Sequence, residues 1–233
     1  QKDFWSIERE AKAVVFNQEE LYSHDWEWQH SFNKVIIDGL PAFRGFIDMV
    51  RFDDTDFHII DVKRTTKIPP TTKQEGSGFD KRTVNVPERF YGMTEESLKT
   101  NLQAAIYSLY CARYMDRKQG TMGHSQGIVV RDKGREIAFE TGMPIIVVDP
   151  AQLELYKKLI TDTVNDMIKF KKDYTLNGLD ATIQSMKDKA GTDDLKEIIP
   201  YKLFARVNPY WGLFTGKKTF DNYTRRGQSS SQQ

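Results

Sequence analysis

Apolar positions recur along this chain in two rhythms, and the change from one to the other marks out the elements. In residues 4–22, FWSIEREAKAVVFNQEELY, the positions Ile7, Ala11, Val14, Val15 and Leu21 fall at helical spacing, which predicts an amphipathic helix. From Ser31 to Lys63 the rhythm is that of strands. Asp38-Gly39 separates the short run VII from AFRGFIDMVRF, and Asp53-Asp54-Thr55-Asp56 separates that run from FHIIDVK. An Asp-Gly step between apolar runs is a strong short-range hairpin signal, so three consecutive antiparallel strands are expected.

Residues 64–93 carry Pro69-Pro70, Gly76, Gly78, Pro87 and Gly92, and read as a long irregular segment. Thr94 then caps an expected helix in which Glu95 and Glu96 favour the positive end and Leu98, Leu102, Ala105 and Leu109 form one apolar stripe. GIVV at 127–130 and IIVV at 145–148 read as strands, with a turn at Asp132-Lys133-Gly134. Asp149-Pro150 opens a further helix that buries Leu153, Tyr156, Ile160, Val164 and Met167. The pattern weakens after Tyr174, so the expected organisation is a core over 1–174, an extension over 175–223 packed on it, and a solvated tail over 224–233. Strands mixed with helices make an α/β fold.

Composition narrows the function. The chain has 233 residues, 39% of them apolar and 29% charged, enough to bury a core, and no apolar run nears the about 18 residues needed to span a bilayer. No membrane role is expected. The single cysteine, Cys111, excludes an internal disulfide and clusters built on several thiolates, and is consistent with a reducing compartment. Net charge is only +1, so binding to a polyanion has to come from local basic surface. The chain opens on Gln1 without a methionine, which suggests a trimmed chain or a fragment, and any signal peptide is either absent or already removed.

The chemistry concentrates at one triplet. Alternate side chains of a strand share a face, so Asp61 and Lys63 point one way and Val62 the other. Ile59, Ile60 and Val62 mark the strand as buried, where a charged pair carries a desolvation cost. Asp48 belongs to the preceding strand, which the short turn folds back alongside. Two converging carboxylates and the Val62 carbonyl make a hard oxygen site suited to Mg²⁺ or Mn²⁺. Lys63 then orients or deprotonates an attacking water, or balances charge on a phosphate. Taken alone, an Asp-x-Lys triplet is far more often an ordinary ion pair on a half-exposed strand. Gln103 and Tyr107, one helical turn apart on the helix that follows, change that picture by presenting polar groups beside the apolar stripe.

Gly45-Phe46-Ile47-Asp48, a hairpin, Ile59-Ile60-Asp61-Val62-Lys63, then Gln103 and Tyr107 resemble the RecB-like branch of the PD-(D/E)xK nucleases. The strand GIVV, a turn, a strand and the helix opening DPAQLELYKKLI are also similar to the mitochondrial genome maintenance exonuclease family with its phage and bacterial relatives. The resemblance covers residues 31–174. It implies a restriction-endonuclease-like core with a mixed central sheet flanked by helices. It also implies metal held by Asp48 and Asp61 with the Val62 carbonyl, a catalytic Lys63, and Gln103 and Tyr107 completing the site. The implied activity is Mg²⁺- or Mn²⁺-dependent hydrolysis of DNA, from single-stranded ends.

Three departures from that family stand out. The first helix lacks the histidine that many members carry, and His24 and His30 lie beyond its expected end; Glu8 or Glu10 is a candidate substitute, with a surface ion pair the plainer role. Iron–sulfur cysteines are absent. The stretch from Lys63 to Gln103 is long and carries Arg64, Lys67, Lys73, Lys81, Arg82 and Arg89, which suit either a basic arm guiding a strand or a solvated loop. The aromatics of YKLFARVNPYWGLFTGKKTFDNYTRR suit burial of the extension better than base stacking. The competing functions are an endonuclease on DNA or RNA and a catalytically silent nucleic-acid-binding subunit.

Overall fold

The Asp-x-Lys triplet lies in a 13-residue strand, Asp56–Ile68, inside a mixed sheet. In this computed structural model residues 2–19, 25–76 and 81–191 are described, and the chain divides after Thr161 into units 1–161 and 162–233. In chain order the elements are α1 (Lys2–Asn17), β1 (Glu27–Lys34), β2 (Phe43–Phe52), β3 (Asp56–Ile68), β4 (Thr71–Glu75), β5 (Arg82–Val86), β6 (Arg89–Phe90), α2 (Glu95–Leu98), α3 (Leu102–Tyr114), β7 (Gln119–Asp132), β8 (Arg135–Gly142), β9 (Ile145–Val148), α4 (Pro150–Asn177) and α5 (Leu179–Ala190).

β1, β2 and β3 form the expected antiparallel meander. β7 then joins β3 in parallel, with Asp56 to Lys67 opposite Gln119 to Val130. A parallel neighbour needs a crossover, and the segment carrying α2 and α3 supplies it. β8 and β9 pair antiparallel with different halves of β7. Because both faces of the central strand are covered, burial along β7 is continuous from Met122 to Val130. The fold is therefore α/β, with parallel and antiparallel strands in one sheet and helices flanking it. Ile47, Met49, Phe57, Ile59, Ile60, Met122, Leu98 and Tyr156 fill the core beside the triplet.

Several expectations on the elements need correction. The described residues of 64–93 are not irregular: β3 runs on to Ile68, β4 and β5 pair as a separate two-stranded sheet, and β6 pairs with the end of β3. Thr65, Thr66, Thr71, Thr72, Thr83, Val84 and Val86 are β-branched and favour strands, while Pro69-Pro70 only marks the corner between two of them. The run Val35–Ile37 lies past the end of β1, with Ile36 and Ile37 buried in the connection; β1 itself is the more polar EWQHSFNK. One helix from Thr94 becomes two. Thr94 caps α2 through a capping box with Ser97, and Asn101 restarts the chain as the cap of α3, its side chain accepting the Ala104 N–H at 2.9 Å. In α4, Tyr156 and Ile160 are buried as expected and Met167 is exposed. α5 begins after Gly178 at φ +80 and ends at Gly191 in the left-handed conformation. The expectations on residues 192–233 and on His24 lie outside the described residues. No helix among the described residues is long and apolar enough to cross a membrane.

Candidate active site

The ladder between β2 and β3 runs from Phe52 opposite Phe57 to Met49 opposite Ile60, and there it stops. One step further in the same register, Asp48 stands against Asp61. The backbone N–H of Val62 donates to Asp48 Oδ2 at 2.9 Å, so a carboxylate stands where the next rung would be. β1 is interrupted at the same level: Trp28 and His30 pair with Met49 and Ile47, while Gln29 between them adopts φ +57 and donates its amide to Asp48 Oδ1 at 3.4 Å. The sheet opens around Asp48.

Asp61 is fully buried, and its surroundings are polar. Gln103 Nε2 donates to Oδ1 at 3.2 Å. Lys63 Nζ stands 2.9 Å from Oδ2, with its side chain 42% exposed. Oδ2 nevertheless receives no well-directed hydrogen bond. Burial pushes the Asp61 carboxyl up to about 6; Lys63 opposes this, and the charge and hydrogen bonding of Asp48 add to it. The Asp48 carboxylate thus lies near enough to add to the upward push on Asp61.

A relay of hydrogen bonds ties this pair to α3. Gln103 Nε2 also lies 2.8 Å from the Tyr107 hydroxyl, which donates to the Phe46 carbonyl at 2.6 Å. Phe46 precedes Asp48 by two residues, so one helix fixes both carboxylate-bearing strands. Burial raises the Tyr107 phenol further above its ordinary value and keeps it a donor. Gly45 makes the approach possible: a Cβ there would meet the Phe32 ring at 2.8 Å and the Tyr107 ring at 3.3 Å. Those rings pack edge to face, with centroids 6.0 Å apart.

Compared with protein-family models, curated proteins and solved structures, the chain matches none.

The structure thus brings Asp48, Asp61, Lys63, Gln103 and Tyr107 together, with Val62 contributing its N–H. It does not bring in the acidic residues of α1. Glu10 is buried and clasped in two contacts by Arg64, at 2.6 and 2.9 Å, and Glu8 pairs with Lys12 one turn along. Alternation along β3 puts Arg64 on the Val62 side, away from Asp61. His30 is engaged by Tyr110 at 2.8 Å.

Two residues of the site escaped the sequence reading, Gln29 and His124. His124 on β7 stands opposite Asp61 in the parallel register, with its side chain 1% exposed and Nε2 3.4 Å from Asp61 Oδ2. Neither ring nitrogen has a hydrogen-bond partner. Burial, seconded by Lys63, pulls its imidazole down to about 4, which leaves the ring neutral at pH 7. The segment QGTMGHSQ has two glycines and few β-formers, so nothing local announced a strand.

The donor set suits a hard divalent ion. Among the described residues no group of three His, Cys, Asp or Glu side chains that could hold a metal ion is present, so an ion here would have to be held by Asp48 and Asp61 with the Val62 carbonyl and water. That is the usual economy of Mg²⁺ sites. A cation would serve the Asp61 Oδ2 that receives no well-directed hydrogen bond and offset the charge that Asp48 sets beside it.

Proposed function

We propose that this chain is a Mg²⁺- or Mn²⁺-dependent nuclease with a restriction-endonuclease-like PD-(D/E)xK core, hydrolysing phosphodiester bonds of DNA from single-stranded ends. The observation that carries the reading is the convergence of Asp48 and Asp61 at the open end of the β2–β3 ladder, with Lys63 against Asp61 and the Gln103–Tyr107 relay behind them. A plain surface ion pair needs none of this: it would not bury Asp61 completely or place a second carboxylate beside it.

Asp48 and Asp61 hold the ion, which supplies activation of water and neutralisation of phosphate charge. Their orientation comes from the Val62 N–H on Asp48 and from Gln103 on Asp61. Lys63, with its side chain 42% exposed, is the member able to leave Asp61 and meet a phosphate or an attacking water. Tyr107 keeps Gln103 facing Asp61 rather than solvent.

End-directed action rests on less. Of the six basic residues from 64 to 93, Arg64 is taken by Glu10, Lys67 lies 3.2 Å from Glu140 and 3.6 Å from Glu88, Lys73 and Arg82 share Glu75, and Lys81 and Arg89 are exposed. Charges already paired in this way track phosphates less readily, and this favours end-independent cleavage as the second reading. Digestion of end-labelled linear and sealed circular single-stranded DNA with Mg²⁺, Mn²⁺ or EDTA decides between them. Metal-dependent loss of linear strands alone supports the exonuclease, cutting of circles supports the endonuclease, and inertness of both leaves a silent nucleic-acid-binding subunit.

A further inference from the structure

We propose that His124 is a positioning residue that holds the buried Asp61 carboxylate through its Nε2–H, so that Lys63 can leave Oδ2 during the reaction without releasing the carboxylate. The inference deepens the nuclease reading and rests on it for the part that concerns Lys63.

The argument starts from two groups with unmet needs in one place. Asp61 Oδ2 receives no well-directed hydrogen bond although Lys63 Nζ stands 2.9 Å away, His124 Nε2 is buried without a partner, and the two atoms lie 3.4 Å apart. Burying a polar group without a partner is costly, and a single short adjustment satisfies both. A neutral imidazole has one N–H, and its position matters. On Nε2 it faces Asp61, and the bare Nδ1 is left as an acceptor. On Nδ1 it would have no acceptor, while a bare Nε2 faced a carboxylate oxygen. The first tautomer leaves less unsatisfied.

The same comparison separates this role from metal ligation. A histidine that binds an ion through Nε2 must carry its proton on Nδ1, and such ligands almost always donate that proton to a partner. Nδ1 of His124 has none. Mobility completes the argument. Three polar side chains surround Asp61, with Gln103 donating to Oδ1 and with Lys63 and His124 standing near Oδ2. The Lys63 side chain is 42% exposed and can swing out, whereas that of His124 is 1% exposed on a strand buried on both sides. His124 is therefore the donor that stays.

The first test needs no metal. Long-range ¹H–¹⁵N correlation on the full chain should show His124 protonated at Nε2 and bare at Nδ1, with the Nε2 signal moving in Asp61→Asn; the opposite tautomer would overturn the proposal. In Mn²⁺ titration calorimetry, His124→Leu should bind about 10- to 100-fold more weakly, the range seen when groups behind a ligand are removed. His124→Gln, whose amide N–H can reach the same oxygen, should recover most of the loss. Equal affinity in all three proteins overturns the role, as does ¹⁴N coupling to Mn²⁺ in the wild type, which would make His124 a ligand. If His124→Leu fails to fold, the glutamine variant and the tautomer still decide. If the wild type binds no Mn²⁺, the nuclease reading falls, and the tautomer alone decides whether His124 holds Asp61.

Discussion

Asp61 concentrates the physics of the site at the scale of one residue. In the folded chain it keeps its proton up to about 6, against 3.8 for the free group, chiefly because burial disfavours the anion. The folded state therefore binds more protons than the unfolded chain between those values. The stability this confers is complete below about 3.8 and is lost as pH rises through 6. At about 1.4 kcal/mol per tenfold change in proton affinity, the ionised carboxylate costs about 3 kcal/mol at neutral pH. Asp61→Asn should then be more stable than the wild type by up to about 3 kcal/mol at pH 8 in EDTA, with the gain fading towards pH 4. Urea denaturation at the two pH values checks this, and a difference independent of pH would show that Asp61 is not strained. The same variant, and Asp48→Ala, should lose cleavage while remaining folded. Lys63→Ala separates roles: Mn²⁺ and DNA binding should persist while cleavage falls by about 10²- to 10⁴-fold, the usual worth of a proton-transfer group. Equal loss of DNA binding would make Lys63 a substrate anchor instead.

Among the elements, α3 is the one that turns two strands into a site. The Tyr107 hydroxyl reaches the Phe46 carbonyl at 2.6 Å and Gln103 reaches Asp61, so the helix spans the gap where the β2–β3 ladder has ended. Tyr107→Phe leaves a part-buried carbonyl without its donor and frees Gln103, a loss of about 1–3 kcal/mol in stability. Cleavage should fall with it, and thermal melting beside the rate in Mn²⁺ checks both; an unchanged rate would reduce the tyrosine to packing. Gly45→Ala attacks the same relay from the strand side by pressing on the Phe32 and Tyr107 rings. Much at this scale was legible beforehand. Period-2 runs broken by Asp53–Asp56 gave the β2–β3 hairpin, and helical spacing put Gln103 and Tyr107 on one face. What stayed hidden depended on partners distant in sequence. His124 has meaning only once β7 lies parallel to β3, and Gln29 only once its strand breaks opposite Asp48. The strands between 65 and 90 were obscured because Pro and Gly punctuation outweighed a run of threonines and valines.

At the scale of the molecule, the question is what stands between the site and a strand end. The stretch between β3 and α2 carries basic residues expected to form an arm that guides a strand. Its described residues form strands rather than a loose arm. β3 continues through Lys67, where it still pairs with β7, so any deletion that enters 66–68 damages the sheet itself. β4 and β5, by contrast, pair with each other and with no other strand among the described residues. Removing 71–86 and closing the gap with a short glycine-serine link should leave the central sheet standing, because no ladder to it is cut. If this hairpin guides strands, the truncated protein should keep metal-dependent cleavage of short oligonucleotides within a few-fold of wild type. It should lose its preference for linear over circular single strands at the same time. The hairpin's Lys73 and Arg82 share the single carboxylate of Glu75 and Lys81 is exposed beside them, so it keeps net positive charge, and any preference it confers should weaken as salt rises. A truncated protein that still spares circles would place the selecting surface elsewhere. One that loses all cleavage while its melting temperature holds would assign the hairpin to substrate binding rather than to gating.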